Sequence, residues 1–169
     1  MQPLEIDHSH EPNFIKWRGD KTLFVETGTN FGNGVYTALH CGFETAISVE
    51  ILEDLHNQNL EKFEDYDNVS LFLGDSKDAL PEMLKMVNEP AFFWIDAHHY
   101  DGDPAFNELE IIKDHHIKTH TILIDDIPVH FAGDRKENLE KMLLDINPDY
   151  IIEYADNKFC ENYILVAHV

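Results

Sequence analysis

Thr22-Leu23-Phe24-Val25-Glu26-Thr27-Gly28-Thr29-Asn30-Phe31-Gly32-Asn33-Gly34-Val35 decides the fold of this chain. A β-branched and aromatic run ends in a carboxylate, glycines stand at 28, 32 and 34, and helical spacing begins at Val35, Ala38 and Leu39. The pattern predicts a strand, a tight turn and a helix. Glycine tolerates positive φ and lets another molecule approach the main chain, while the helix that follows offers unpaired N–H groups. Such a turn is built to carry a ligand on its backbone.

The acidic residues decide which ligand. A turn that accepts a pyrophosphate needs positive potential and no carboxylate nearby. Here Glu26 stands two residues before the first glycine, where it would repel phosphate and could hold a cation such as an α-amino group. Glu50 closes the next strand-like run. Together they predict a nucleoside that bears an amino acid, S-adenosylmethionine.

Outward from this stretch the rhythm is regular. Strands are expected at Thr22 to Val25, about Thr45 to Val49, Val69 to Leu73, Ala91 to Ile95 and Thr121 to Ile124. Between them lie helices from about Asn33 to Cys41, stopped by Gly42, and then helices carrying Leu52, Leu55, Leu60 and Phe63; Leu80, Met83, Leu84 and Val87, with Pro81 in the first turn; and Leu109, Ile111 and Ile112. A last helix has Leu139, Met142, Leu143 and Ile146, with Asp134 and Glu137 as its capping box. Tyr150 to Tyr154 and Tyr163 to Val169 are then separated by too few residues for a crossover helix and must pair as an antiparallel hairpin. The class is α/β, a single doubly wound sheet covered on both faces. Residues 1–20 show no clean period and read as an N-terminal arm with a short helix or turn around Phe14 to Trp17, packed on the core or closing the ligand site; residues 21–169 form the domain.

The chain has 169 residues, enough for one domain that buries about two thirds of its unfolded surface. No apolar run reaches the roughly 20 residues of a membrane span, Met1 does not open a signal peptide, and Cys41 and Cys160 do not make a disulfide framework. A reducing cytoplasm is the expected setting. The net charge of −21, from 33 acidic and 12 basic residues, argues against nucleic acid and anionic membranes as partners. Lys16, Arg18 and Lys21 form one local basic group, placed either over a substrate pocket or merely on the surface.

Ligands of doubly wound sheets bind beyond the carboxyl ends of the strands. The residues found there are Glu26, Glu50, Asp75, Asp96 and the pair Asp125-Asp126, all acidic. Glu50 can accept both hydroxyls of a ribose, and Asp75 can accept from an adenine amino group while the Ser76 N–H is offered to a ring nitrogen. Asp75-Ser76 also reads as a plain helix cap. Asp96, Asp125 and Asp126 would repel one another unless a cation intervened, and oxygen ligands favour Mg²⁺, Mn²⁺ or Ca²⁺, with His98, His99 and His130 leaving Mn²⁺ or Fe²⁺ open. A neutral His99 could act as general base.

Glu26-Thr-Gly28-Thr-Asn-Phe-Gly32, Glu50, Asp75-Ser76, Asp96 and the closing hairpin resemble the class I S-adenosylmethionine-dependent methyltransferases over about Lys21 to Val169. The resemblance implies a Rossmann-like sheet of order 3-2-1-4-5-7-6 with strand 7 antiparallel. It also implies a cofactor site at Glu26, Gly28, Thr29, Asn30, Gly32, Glu50, Ile51, Asp75, Ser76 and Asp96. Within that family, Trp94-Ile-Asp96-Ala-His-His99 and Ile122-Leu-Ile-Asp125-Asp126 look like the metal-dependent macrocin-type O-methyltransferases. That likeness implies Mg²⁺ or Mn²⁺ on Asp96, Asp125 and Asp126, catalysis by His99 with Asp96, and a small-molecule acceptor, a metabolite or sugar hydroxyl. A metal-dependent hydrolase built on the Asp/His cluster and a non-catalytic S-adenosylmethionine-binding module are the competing readings, and a nicotinamide dehydrogenase is disfavoured by Glu26 and the hairpin.

Overall fold

The computed structural model describes residues 2–98 and 104–169. Seven strands form one sheet: β1 (Leu23–Thr27), β2 (Thr45–Glu50), β3 (Val69–Leu73), β4 (Phe92–Ile95), β5 (Thr121–Ile124), β6 (Ile151–Ala155) and β7 (Ile164–His168). Their order is β3-β2-β1-β4-β5-β7-β6, and only the pairings of β7, with β5 and with β6, are antiparallel. This is the expected topology. The helices are α1 (Glu11–Arg18), α2 (Asn33–His40), α3 (Glu53–Lys62), α4 (Ser76–Met83), α5 (Ala105–Asp114), α6 (Ile127–His130) and α7 (Asp134–Ile146).

Every residue of β1, β4 and β5 is buried, which is why these strands read as unbroken apolar runs and not as alternating ones. Alternate residues serve two cores. Val25, Ile47, Phe93, Ile95, Ile122 and Ile124 pack with Leu80, Leu109, Leu139 and Leu143 on one face. Phe24, Phe92, Trp94 and Leu123 pack with Val35, Ala38, Phe43 and Phe14 on the other. Phe14, from α1, lies with its ring centroid 5.2 Å from Phe24, 5.5 Å from Phe92 and 5.1 Å from Trp94. The arm is therefore seated on the sheet: Asn13 Nδ2 donates to the Asp156 carbonyl (2.9 Å) and the Asp7 N–H to Thr37 Oγ1 (2.7 Å).

Three expectations need correction, and one helix was missed. The inner face of α3 is His56, Asn59 and the following Phe63, while Leu52 and Leu60 are about half exposed on its outer side. Pro81 is the sixth residue of α4, past its first turn, and the helix tightens into a 3-10 turn at Leu84–Met86. The N-cap of α7 is Gly133, at φ 64°, so Asp134 and Glu137 form no capping box and lie in the first turn, facing the positive end of the helix dipole. Finally, α6 was not anticipated. Pro128 in its first turn fixes a helical φ two residues after Asp126, and the turn carries His130 back toward the strand ends.

Candidate functional site

The sheet reverses direction of winding between β1 and β4, so Gly28 and Asp96 stand side by side at the switch point. A Cβ on Gly28 would lie 2.7 Å from the Asp96 carbonyl oxygen, and its φ of 89° is one that L side chains resist. The Gly28 and Thr29 N–H groups donate to the Val49 carbonyl (2.9 and 3.0 Å), tying the turn to β2. Asn30 takes a left-handed φ of 49°, as its short polar side chain permits. Gly32, at φ 85°, caps α2, and a Cβ there would meet Asn59 Oδ1 at 2.7 Å and Phe63 at 2.9 Å. The inward face of α3 is polar for this reason: Asn59 Nδ2 donates to the Asn30 carbonyl (2.8 Å) and braces the turn from outside. Asn59 was not singled out from sequence, although His56, Asn59 and Phe63 at i, i+3, i+7 do mark one helix face.

Glu50 organises the open side of the turn. Its Oε2 accepts from the Asn30 N–H (2.7 Å) and its Oε1 from the Leu52 N–H (2.9 Å). Each oxygen retains a further lone pair, and the carboxylate lines a cavity of about 650 Å³. Gly28, Asn30, Ile51, Asp75, Ser76 and Asp96 line it too, with Lys77, His98, Pro104 and Asn107. Asp75 caps α4 by accepting from the Lys77 N–H (3.1 Å), and Lys77 Nζ lies 3.0 Å from Asp75 Oδ2. Lys16, Arg18 and Lys21 are not among the lining residues, and Lys16 lies over the Trp17 ring, 4.0 Å from its centroid.

Glu26, Thr29 and Gly32 are placed behind the turn and do not line the cavity. The Glu26 carboxylate is buried, accepts from Ser48 Oγ (2.6 Å), and Ser48 in turn meets Thr29 Oγ1 at 2.7 Å. It fills the space over Gly34, where a Cβ would fall 1.9 Å from Glu26 Oε1. Burial, with a smaller contribution from Glu50, pushes its pKa from 4.5 up to about 8, against the lowering effect of the Ser48 hydrogen bond. Burial thus favours the protonated side chain, and its carboxyl faces Ser48 and Gly34 and not the cavity.

This raised pKa predicts a slope in stability. Between 4.5 and 8 the folded chain holds a proton that the unfolded chain has released, so this group makes stability fall as pH rises across that window. Glu26→Gln is expected to remove its share, of the order of a few kcal/mol. Urea unfolding at pH 5.5 and 8.5 measures it: the drop between the two should be smaller in the variant than in the wild type, and equal drops would refute the assignment.

The acidic cluster differs from the expected set. Donor atoms of Asp96, His98 and Asp126 all lie within 4.8 Å of one another. His98 Nε2 is 3.8 Å from Asp96 Oδ1 and 4.0 Å from Asp126 Oδ2, and the His98 ring stacks on His130 at 4.4 Å between centroids. Asp126 owes its aim to a left-handed φ of 56°, and its Oδ1 accepts from the Tyr163 hydroxyl. Asp125 is buried outside this group, on the aromatic side of the sheet, with Oδ2 3.7 Å from His10 Nε2. His10 itself lies against Trp94, 4.8 Å between centroids. Burial raises the pKa of both Asp96 and Asp125; neighbouring carboxylates add to this, and His10 opposes it at Asp125. His99, the expected base, lies outside the described residues.

No family model matches the sequence, and no curated protein matches it. Solved structures do. The SAH (S-adenosylhomocysteine)-bound methyltransferase PaMTH1 of Podospora anserina superposes with a TM-score of 0.65 at 14% identity, over 94% of this chain and 77% of that one. An O-methyltransferase from Bacillus cereus in complex with SAH gives 0.66 at 15% identity, over 98% and 83%. TomG of Streptomyces achromogenes, solved with SAM and involved in tomaymycin synthesis, gives 0.63 at 11%, over 98% and 82%. The chain has the class I methyltransferase fold. Among the described residues no helix is long and apolar enough to cross a membrane.

Proposed function

We propose that the protein is an S-adenosylmethionine-dependent methyltransferase acting on a hydroxyl of a small molecule, with a divalent cation at the strand ends. The observation that carries this reading is Glu50: a buried carboxylate, pinned at both oxygens by backbone N–H groups yet open to a cavity of about 650 Å³ beside the glycine turn. That is the arrangement a ribose cis-diol requires. Solved structures of the same fold contain SAH or SAM, which favours the same ligand.

S-adenosylmethionine supplies the methyl carbon and a sulfur leaving group. The chain supplies position. Glu50 fixes the ribose, Asp75 with the Ser76 N–H faces the base, and the bare Gly28 lets the cofactor lie against the backbone. Asp96 and His98 belong both to the cavity wall and to the cluster with Asp126, so an acceptor hydroxyl held at that cluster faces the cavity end where the methyl group would be presented. The donor set fits a divalent ion, which would act as Lewis acid on that hydroxyl. His99 is the proposed base for its proton. The net charge of −21 argues against nucleic acid as the acceptor.

Glu50→Ala is expected to weaken binding of S-adenosylhomocysteine by about 1.5–3 kcal/mol, the size of lost hydrogen bonds to a charged acceptor. Isothermal titration of the folded variant against wild type measures it. Unchanged affinity would remove Glu50 from the site, and a wild type that binds no S-adenosylhomocysteine would favour the metal-dependent hydrolase instead.

A further inference from the structure

We infer that the cation site is a mixed nitrogen and oxygen centre, with His98 as a ligand beside Asp96 and Asp126, and that it selects a first-row transition ion such as Mn²⁺ over Mg²⁺. The inference rests on the methyltransferase reading for what the ion is for, not for whether it binds.

The geometry carries it. His98 Nε2 stands 3.8 Å from Asp96 Oδ1 and 4.0 Å from Asp126 Oδ2. Hydrogen bonds of such pairs measure about 2.7–3.2 Å, so neither contact is one, and donors that share an ion with bonds of ~2.0–2.2 Å stand about 3.0–3.5 Å apart, so side-chain shifts of about half an ångström would close the three on an ion. The imidazole is fixed in position by its surroundings. Its side chain is 8% exposed, its ring is stacked on His130 with an interplanar angle of 15°, and Phe131 meets it at 5.8 Å between centroids. Asp126 is held as well, by its left-handed backbone and by Tyr163. Asp125, outside the cluster, carries a buried Oδ1 that no donor among the described residues meets. Asp125 Oδ2 is directed to His10, and among the described residues it is His98 that stands with Asp96 and Asp126.

The chemistry of the donors then sets the ion. Mg²⁺ prefers oxygen ligands in near-ideal octahedra and gives up water reluctantly, while imidazole suits later first-row transition ions such as Fe²⁺ and Zn²⁺; Mn²⁺ takes carboxylate oxygen as Mg²⁺ does but also accepts a ring nitrogen. One ring nitrogen among two carboxylates shifts the preference away from Mg²⁺.

The test is titration of tag-free, EDTA-treated protein with Mn²⁺ and Mg²⁺, followed by calorimetry and by loss of the free-Mn²⁺ electron paramagnetic resonance signal. Wild type is expected to bind one Mn²⁺ about tenfold or more tighter than Mg²⁺. His98→Ala should lose that margin and keep its Mg²⁺ affinity, and Asp126→Asn should weaken both ions. His98→Gln, which keeps most of the volume, replaces His98→Ala if the smaller side chain unfolds the loop. Equal affinities in wild type, an unchanged Mn²⁺ affinity in the His98 variants, or no binding of either ion overturns the inference. Titration of the same samples with S-adenosylhomocysteine judges the methyltransferase reading separately. Cofactor binding without a Mn²⁺ preference sinks only the inference, and a Mn²⁺ site without cofactor binding sinks only the reading.

Discussion

Asp126→Asn is expected to lower methyl transfer by roughly 10³-fold, the several kcal/mol that a Lewis acid contributes, while S-adenosylhomocysteine affinity stays within about twofold. Two structural facts separate the effects. Asp126 does not line the cavity, so the cofactor loses no contact, and it sits at φ 56°, a conformation asparagine accepts at least as well as aspartate. The substitution should therefore fold. EDTA should reproduce the defect in the wild type, and added Mn²⁺ should reverse it there but not in the variant. Steady-state rates with and without chelator, alongside cofactor titration, read this directly. Full activity in excess EDTA would leave the cluster an acidic rim and the reaction independent of metal.

Gly28→Val should abolish cofactor binding altogether. The added Cβ would fall 2.7 Å from the Asp96 carbonyl oxygen and 3.2 Å from the Ala97 Cα. Both are backbone atoms of the neighbouring strand end and cannot swing aside as a side chain can. The φ of 89° adds strain of about 1–2 kcal/mol for an L residue, and forcing a methyl-bearing branch into the turn adds about 1–3 kcal/mol more. The melting temperature should fall by several degrees, and a variant that still folds should give no heat with S-adenosylhomocysteine. Gly28→Ala should lie between the two. Normal binding by Gly28→Val would mean that the cofactor does not lie against this turn.

The path of the sheet was readable because each crossover needs a helix and the last gap has no room for one. The glycine turn was readable because Gly28 and Gly32 sit where the chain must take positive φ. Side-chain direction was harder. Glu26 is two residues from Gly28 in sequence, yet its carboxylate turns under Gly34 to meet Ser48, a contact set by how α2 crosses β1 and β2. Asp125 and Asp126 are adjacent and were expected to act alike. Successive strand residues face opposite ways, and the left-handed turn at Asp126 then re-aims the second carboxylate, so one meets His10 and the other His98 and His130. That divergence could have been suspected from strand alternation alone. His10 could not: it is a lone histidine in an aperiodic arm, brought to the strand ends only because Phe14 anchors α1 among Phe24, Phe92 and Trp94. The reach of α3 to the turn through Asn59 depends likewise on packing that leaves no apolar period to follow.

The seating of α1 also orders events during synthesis. Phe14 meets Phe24 early, but its other partners, Phe92 and Trp94, are made much later, and Asn13 waits for the Asp156 carbonyl, 143 residues downstream. β1 likewise takes its second neighbour from β4, after β2 and β3 have been made. At translation rates of about 5–20 residues per second, α1 spends many seconds outside the ribosome with an aromatic face and no finished sheet to receive it. Contacts of such sequence separation slow folding, and an aromatic segment left waiting is where a chaperone would engage the nascent chain. Of the helices described, the first in chain order is among the last to dock.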